Sequence, residues 1–80
     1  MSHTPHELNE EFSQQAEQIA ALKLSDAHFA KMSDDYHRLN RAIHRAETDV
    51  EPTSDDNMQK MRRERLALKD QIAVYLRENA

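Results

Sequence analysis

The side chains with the most chemistry to offer are five histidines, in a chain that has no cysteine at all. His37 and His44 share one helix face but lie two turns apart, ~10.5 Å, which is too far to hold one zinc ion. His3 and His6 stand close to the N-terminus, His28 stands beside a helix start, and no His-Glu-x-x-His spacing occurs. A resident metal is therefore not expected. Without cysteine there is neither a thiolate nucleophile nor a disulfide. No serine sits in a glycine-framed elbow. Phosphate-cradling loops need glycine, and the chain has none. An enzyme also needs a concave pocket, and a thin hairpin offers none. The expectation is no enzyme, no cofactor and no small-molecule substrate.

Charge is arranged more tellingly. Arg38, Arg41 and Arg45 recur at helical spacing, and Lys60, Arg62, Arg63 and Arg65 recur further on, against only Glu64. If the two segments face each other, these cations form a belt. Above the belt come Glu47, Asp49, Glu51, Asp55 and Asp56, and the first twenty residues are acidic as well. One reading of the belt is a solvated surface, with the acids serving a helix dipole. The other is that belt and acidic surface are complementary and guide assembly. A net charge of −4 disfavours wholesale nucleic-acid binding but leaves a local basic patch open.

The elements that carry these groups follow from periodicity. Phe29, Met32, Tyr36, Leu39, Ile43 and Ala46 fall in three-four alternation. Met58, Met61, Leu68, Ile72 and Tyr75 do the same further on, with Arg65 holding one polar place. The two series are mirror images about Pro52, the pattern of an antiparallel, coiled-coil-like helical hairpin. The fold class is all-α, with an additional N-terminal helix in a single domain over 1–80. Thr4, Pro5 and Glu7 suit a helix start, so the first helix is placed at about 5–23. Its seam is weak: Leu8, Phe12, Ile19 and Leu22, with Gln15 in a fifth place. Ser25 suits the next N-cap and Leu24 suits a staple onto Phe29, giving a second helix over about 26–48. A turn over about 49–53 follows, because Pro52 disfavours a helical Glu51. Thr53 or Ser54 then caps a third helix over about 54–77.

Two features leave the packing open. Leu66, Ala73 and Leu76, flanked by Val74, form a second apolar stripe that a bare hairpin would leave wet, so the first helix, a second chain, or each in part must cover it. Arg65 can lay its stem on Leu39 and send its head to water or Asp35, or it can act as the polar seam residue that fixes register.

The run Ser25-Asp26-Ala27-His28-Phe29, then Tyr36, Leu39 and Ile43, then Arg65-Leu66-Ala67-Leu68-Lys69-Asp70-Gln71-Ile72, resembles the YdcH-like family of small bacterial proteins. The similarity covers about residues 19–77. It implies a short helical hairpin and brings no catalytic residues. The N-terminal helix is longer than in the shortest members, and Glu51-Pro52-Thr53 stands where relatives often have glycine.

The functional expectation is a small interaction module that self-associates or docks on a larger cytoplasmic protein. Its candidate surface is Arg38, Arg41, Arg45, Lys60, Arg62, Arg63, Leu66, Ala73 and Leu76. The alternative is binding of nucleic acid or the transcription machinery through the basic belt. No apolar run approaches the ~18 residues of a membrane span, and no secretory signal is evident, so a cytoplasmic place is the expectation.

Overall fold

The computed structural model describes residues 5–48 and 53–79. Four α-helices follow one another: α1 (Leu8–Glu11), α2 (Ala16–Ser25), α3 (Ala27–Glu47) and α4 (Asp55–Glu78), with a 3-10 turn over Ser13–Gln15. The described residues include no strand. Helices α3 and α4 pack as a hairpin, and α2 lies back against α3. None of the described helices is long and apolar enough to cross a membrane.

Local signals account for the two long helices. Asp26 starts α3 from an extended backbone, and its carboxylate accepts hydrogen bonds from the backbone N–H groups of His28 and Phe29 at 3.0 and 3.1 Å. Ser54 caps α4 by accepting from the N–H of Asn57 at 3.1 Å, and Asp55 and Asp56 occupy the positive end of the helix dipole. His44 and Arg45 lie in the last turn of α3 and Arg77 in that of α4, where cations are favoured. Between the arms, the expected turn of 49–53 lies outside the described residues except for Thr53.

The seam then closes as its spacing predicts. Phe29, Met32, Tyr36, Ile43 and Ala46 are buried on α3, and Ile72 and Leu76 on α4. The Phe29 and Tyr75 rings meet at 5.7 Å between centroids, which matches the mirrored register. Near the turn the seam is only two helices wide, and Met58 and Met61 stay half-buried. At the other end Leu8 and Ile19 join Phe29, Met32, Tyr36, Ile72 and Leu76 in one cluster, with Phe12, Leu22, Leu68 and Tyr75 packed on it. Full burial of a large aliphatic or aromatic side chain contributes ~1.5–3 kcal/mol, so this end holds most of the stability.

The N-terminal region departs from the single helix expected over 5–23. Pro5 stands in a turn, His6 takes a positive φ of 64°, and α1 begins only at Leu8 behind Glu7, whose side chain makes no cap. The proposed Thr4 cap lies outside the described residues. After one turn the chain swings at Phe12 (φ −128°, ψ 54°) and passes through the 3-10 turn before α2 starts. A straight helix would have to put Leu8, Ile19 and Leu22 on one line. The break lets Leu8 and Ile19 both reach the cluster from separate short elements.

The next joint is also corrected. Ser25 does not cap α3: it ends α2, and its hydroxyl donates to Ala21 O at 3.0 Å. Leu24 does not staple onto Phe29, being 91% exposed. Asp26, rather than Ser25, caps α3, and its extended backbone reverses the chain. Helix α2 therefore folds onto its own hairpin, where Gln18 Nε2 donates to Leu76 O at 2.8 Å. This settles part of the second stripe. Leu76 is buried and Ala73 half-buried, while Leu66 remains 58% exposed. A ten-residue α2 is only ~15 Å long and stops short of Leu66.

Ile19 and Leu24 thus differ sharply although they sit on one short helix. Ile19→Ala should cost ~2–5 kcal/mol of folding stability, whereas Leu24→Ala should change it by less than ~0.5 kcal/mol. Urea unfolding of both variants checks this, and equal costs would contradict the placement of α2.

Candidate interaction surfaces

The hairpin has two broad faces, and polar chemistry decides which one the N-terminal segment covers. Asn40 is buried on α3 at 1% exposure, so its amide must find partners inside the protein. Its Nδ2 donates to Pro5 O at 2.8 Å, and its Oδ1 accepts from Arg65 NH1 at 2.9 Å. One turn away, Tyr36 Oη donates to His6 O at 2.7 Å. His37 Nδ1 meets Glu7 Oε2 at 3.1 Å. Glu11 closes the series, with His6 Nδ1 at 3.0 Å and Lys69 Nζ at 3.4 Å. Residues 5–11 are thereby strapped across α3 and reach α4.

This network corrects the reading of Arg65. Its head goes neither to water alone nor to Asp35 but to the Asn40 carbonyl. Asp35 is engaged on its own helix by Lys31 at 3.2 Å and Arg38 at 3.0 Å. The environment also tunes protons. Burial, seconded by the Glu11 charge and opposed by Arg65, pushes the Tyr36 phenol up to about 12. The hydrogen bond with His6 holds the Glu11 carboxyl below its usual range, against the effect of burial and with help from Lys69. At the open end of the hairpin, Tyr75 Oη donates to Asp26 Oδ2. That bond is the main cause of a lowered Asp26 carboxyl and a raised Tyr75 phenol; the N–H groups of Phe29 and His28 add to the former.

On the strapped side an open cleft of ≈ 850 Å³ forms between the strap, α2 and α3. The expectation of no concavity missed it, because the cleft is built by the strap rather than the hairpin. Ser33, His37 and Glu7 all line it, in an order that would suit nucleophile, base and orienting acid. Among the described residues, Ser33 and His37 nevertheless share no hydrogen bond, and the base meets the acid at 3.1 Å. No group of three or more metal-binding side chains is assembled among the described residues.

The opposite face of the hairpin is left open. Two shallow grooves run along it, one lined by Asp35, Arg38, Leu39, Glu64, Ala67 and Leu68. The other, closer to the chain's N- and C-terminal ends of the hairpin, is mostly apolar and lined by Met32, Val74 and Tyr75 with His28, Asp70, Gln71 and Glu78. Sequence reasoning missed this face. Its residues are spaced by the same three-four rule as the seam, but Ala67 and Gln71 carry too little apolar weight to stand out, and Val74 reads as the flank of the second stripe.

The cations do not gather on one side. Arg38 lines an open-face groove, whereas Arg41 lines the strapped-side cleft. Arg62 crosses to Glu47 at 2.9 Å, and Arg38 is held by Asp35. Lys60 and Arg63 are exposed and make no ion pair among the described residues, while Arg45 is exposed at the end of α3.

Fold and surfaces together define an all-α helical hairpin with a strapped and an open face. A family model described as a protein of unknown function (DUF465) matches residues 29–76, and the chain belongs to that family. This agrees with the YdcH-like resemblance and spans the hairpin from Phe29 to Leu76. Neither a curated protein nor a solved structure matches the chain.

The Tyr36 hydroxyl gives a test of the strap. The folded protein binds the Tyr36 proton more tightly than the unfolded chain, whose phenol titrates near 10. The stability this group carries is therefore complete below about pH 10 and is lost as pH rises toward about 12. Tyr36→Phe should cost about 1 kcal/mol at neutral pH and should flatten part of that alkaline loss. Urea unfolding across the alkaline range checks both; an unchanged alkaline slope would count against the strapped tyrosine.

Proposed function

We propose that this chain is a protein-interaction module that docks through the open face of its hairpin. The observation that carries the reading is the asymmetry of cover. One face is closed by a strap and a helix with buried hydrogen bonds, while the other leaves Ala67 and Val74 exposed beside half-buried Leu39, Leu68 and Tyr75. A helix laid along such a groove buries apolar surface at three-four spacing, which is a common mode of helix recognition.

The binding surface first drawn from the sequence is revised accordingly. Leu76 serves the protein's own core, Ala73 is half-buried, and Leu66 lines neither groove. Arg38, Lys60 and Arg63 remain as the charged rim of the docking face. Nucleic-acid binding draws less support: the cations are dispersed over two faces and partly engaged by Asp35 and Glu47, and no aromatic side chains are interleaved with them for base stacking.

Site-specific photo-crosslinking in cells tests the docking reading. A photoreactive side chain at Gln71 or Val74 should give adducts of defined mass. The same group at Ala20 or Leu66, exposed but off the face, should give none. Equal labelling from both sets, or no adduct from either, would overturn the proposal.

A further inference from the structure

We infer that the cleft on the strapped side is a binding site for a small carboxylate, one oxyanion on a short apolar body. The inference goes beyond the open-face reading and does not depend on it. It starts from Ser33, which lines the cleft and is only 3% exposed. A serine or threonine within a helix can turn its hydroxyl back onto the carbonyl four residues earlier. Ser25 does so to Ala21 O and Thr48 to His44 O, both at 3.0 Å. The Ser33 hydroxyl makes no hydrogen bond with any described residue. Yet no side-chain oxygen or nitrogen sealed inside the described residues lacks a partner. The Ser33 oxygen is therefore not shut into the core: its small exposure opens onto the cleft, where a donor stands without an acceptor.

The charges around it say which acceptor fits. The lining carries Lys23, Lys31 and Arg41 against Glu7 and Asp34, one positive charge in excess. Lys31 is engaged outside the cleft by Asp35, and Glu7 is engaged by His37. With those pairs set aside, Lys23 and Arg41 remain against Asp34, and the excess is again one. Neither Lys23 nor Arg41 makes an ion pair with a described residue. Arg41 lies ~12 Å along α3 from Ser33, and helical side chains lean toward the N-terminus, so its head reaches back over the cleft. A guanidinium offers a carboxylate two parallel N–H bonds. Buried Leu8 and half-buried Ala30 supply an apolar wall for the body of the ligand.

The same count sets the selectivity. A monoanion matches the single excess charge, whereas a phosphate dianion overfills it and meets Asp34. A cation of the same size would face Lys23 and Arg41 and leave the Ser33 donor without an acceptor.

Amide chemical-shift mapping of the full ¹⁵N-labelled chain tests this. The probes are sodium butanoate and sodium benzoate, with butylammonium chloride and sodium phosphate as comparisons, all at one ionic strength. Both carboxylates should give saturable shifts centred on Asn9, Ser33, Asp34 and Arg41. R41Q should weaken binding by about tenfold and S33A by about threefold, and D34N should tighten it. Circular dichroism checks that each variant is folded; R41Q alters an exposed side chain, so it remains informative if S33A is not. No saturable shift with either carboxylate would overturn the inference. So would shifts centred on Gln71 and Val74, or R41Q binding as well as the wild type. Butylammonium or phosphate binding at the cleft as tightly as the carboxylates would remove the assigned ligand class. None of these results bears on crosslinking from the open face, so the two readings fail separately.

Discussion

The architecture depends on a single buried amide. Asn40 sits where α3, α4 and the N-terminal strap meet, and it has almost no access to water. An unsatisfied buried amide costs ~1–3 kcal/mol, so its two hydrogen bonds act as conditions on the fold. The bond from Arg65 fixes where α4 lies along α3. The bond to Pro5 O fixes where the strap crosses. Arg65 then needs no carboxylate of its own: it places its charge on the amide oxygen at the edge of the seam, and a polar interruption becomes a register mark. Tyr36 repeats the arrangement one turn away, with an aromatic ring in the core and a hydroxyl on the strap.

The strap is needed because two helices alone make a narrow core. Near the turn, Ile43 and Ala46 are the buried apolar residues among those described, packed by the partly exposed Met58 and Met61. At the other end, Leu8 and Ile19 convert the seam into a cluster with a third wall. Small proteins bury a smaller share of their surface than large ones, so a few added side chains weigh heavily. Stability is accordingly uneven along the hairpin, high where the strap and α2 lie and lower toward the turn.

What was legible in the sequence follows the same division between local and tertiary causes. The hairpin could be read because its seam is periodic on both arms and mirrored about Pro52, and because Ser54 has the side chain a helix start requires. The first helix could not be read correctly. Thr4, Pro5 and Glu7 have suitable local chemistry for a helix start, but the carbonyls of Pro5 and His6 are claimed by Asn40 and Tyr36 from thirty or more positions away. Nothing in a local window announces that. Leu24 failed for a related reason: hydrophobicity and position suggested a staple, whereas the extended Asp26 backbone turns α2 so that Leu24 faces solvent. The cation belt was legible as composition but not as surface, because similar spacing on a helix does not say which neighbour will cover it.

The same polar network explains why one face stays open. Asn40, Tyr36 and His37 sit on the strapped side of α3, and their partners are two backbone carbonyls and Glu7 of the strap. The opposite side carries Met32, Asp35, Leu39 on α3 and Ala67, Gln71, Val74 on α4, with no buried donor waiting for a carbonyl. The strap could bury apolar surface on either face, but only one face would satisfy Asn40. Hydrogen bonds therefore choose the covered face and, by exclusion, the exposed one. The family match begins at Phe29, after the strap and α2, and ends at Leu76. The open face thus belongs almost wholly to the matched hairpin, while most of its cover is supplied by residues that precede it. That division is what a hairpin would have if its N-terminal segment serves stability and its bare face serves binding.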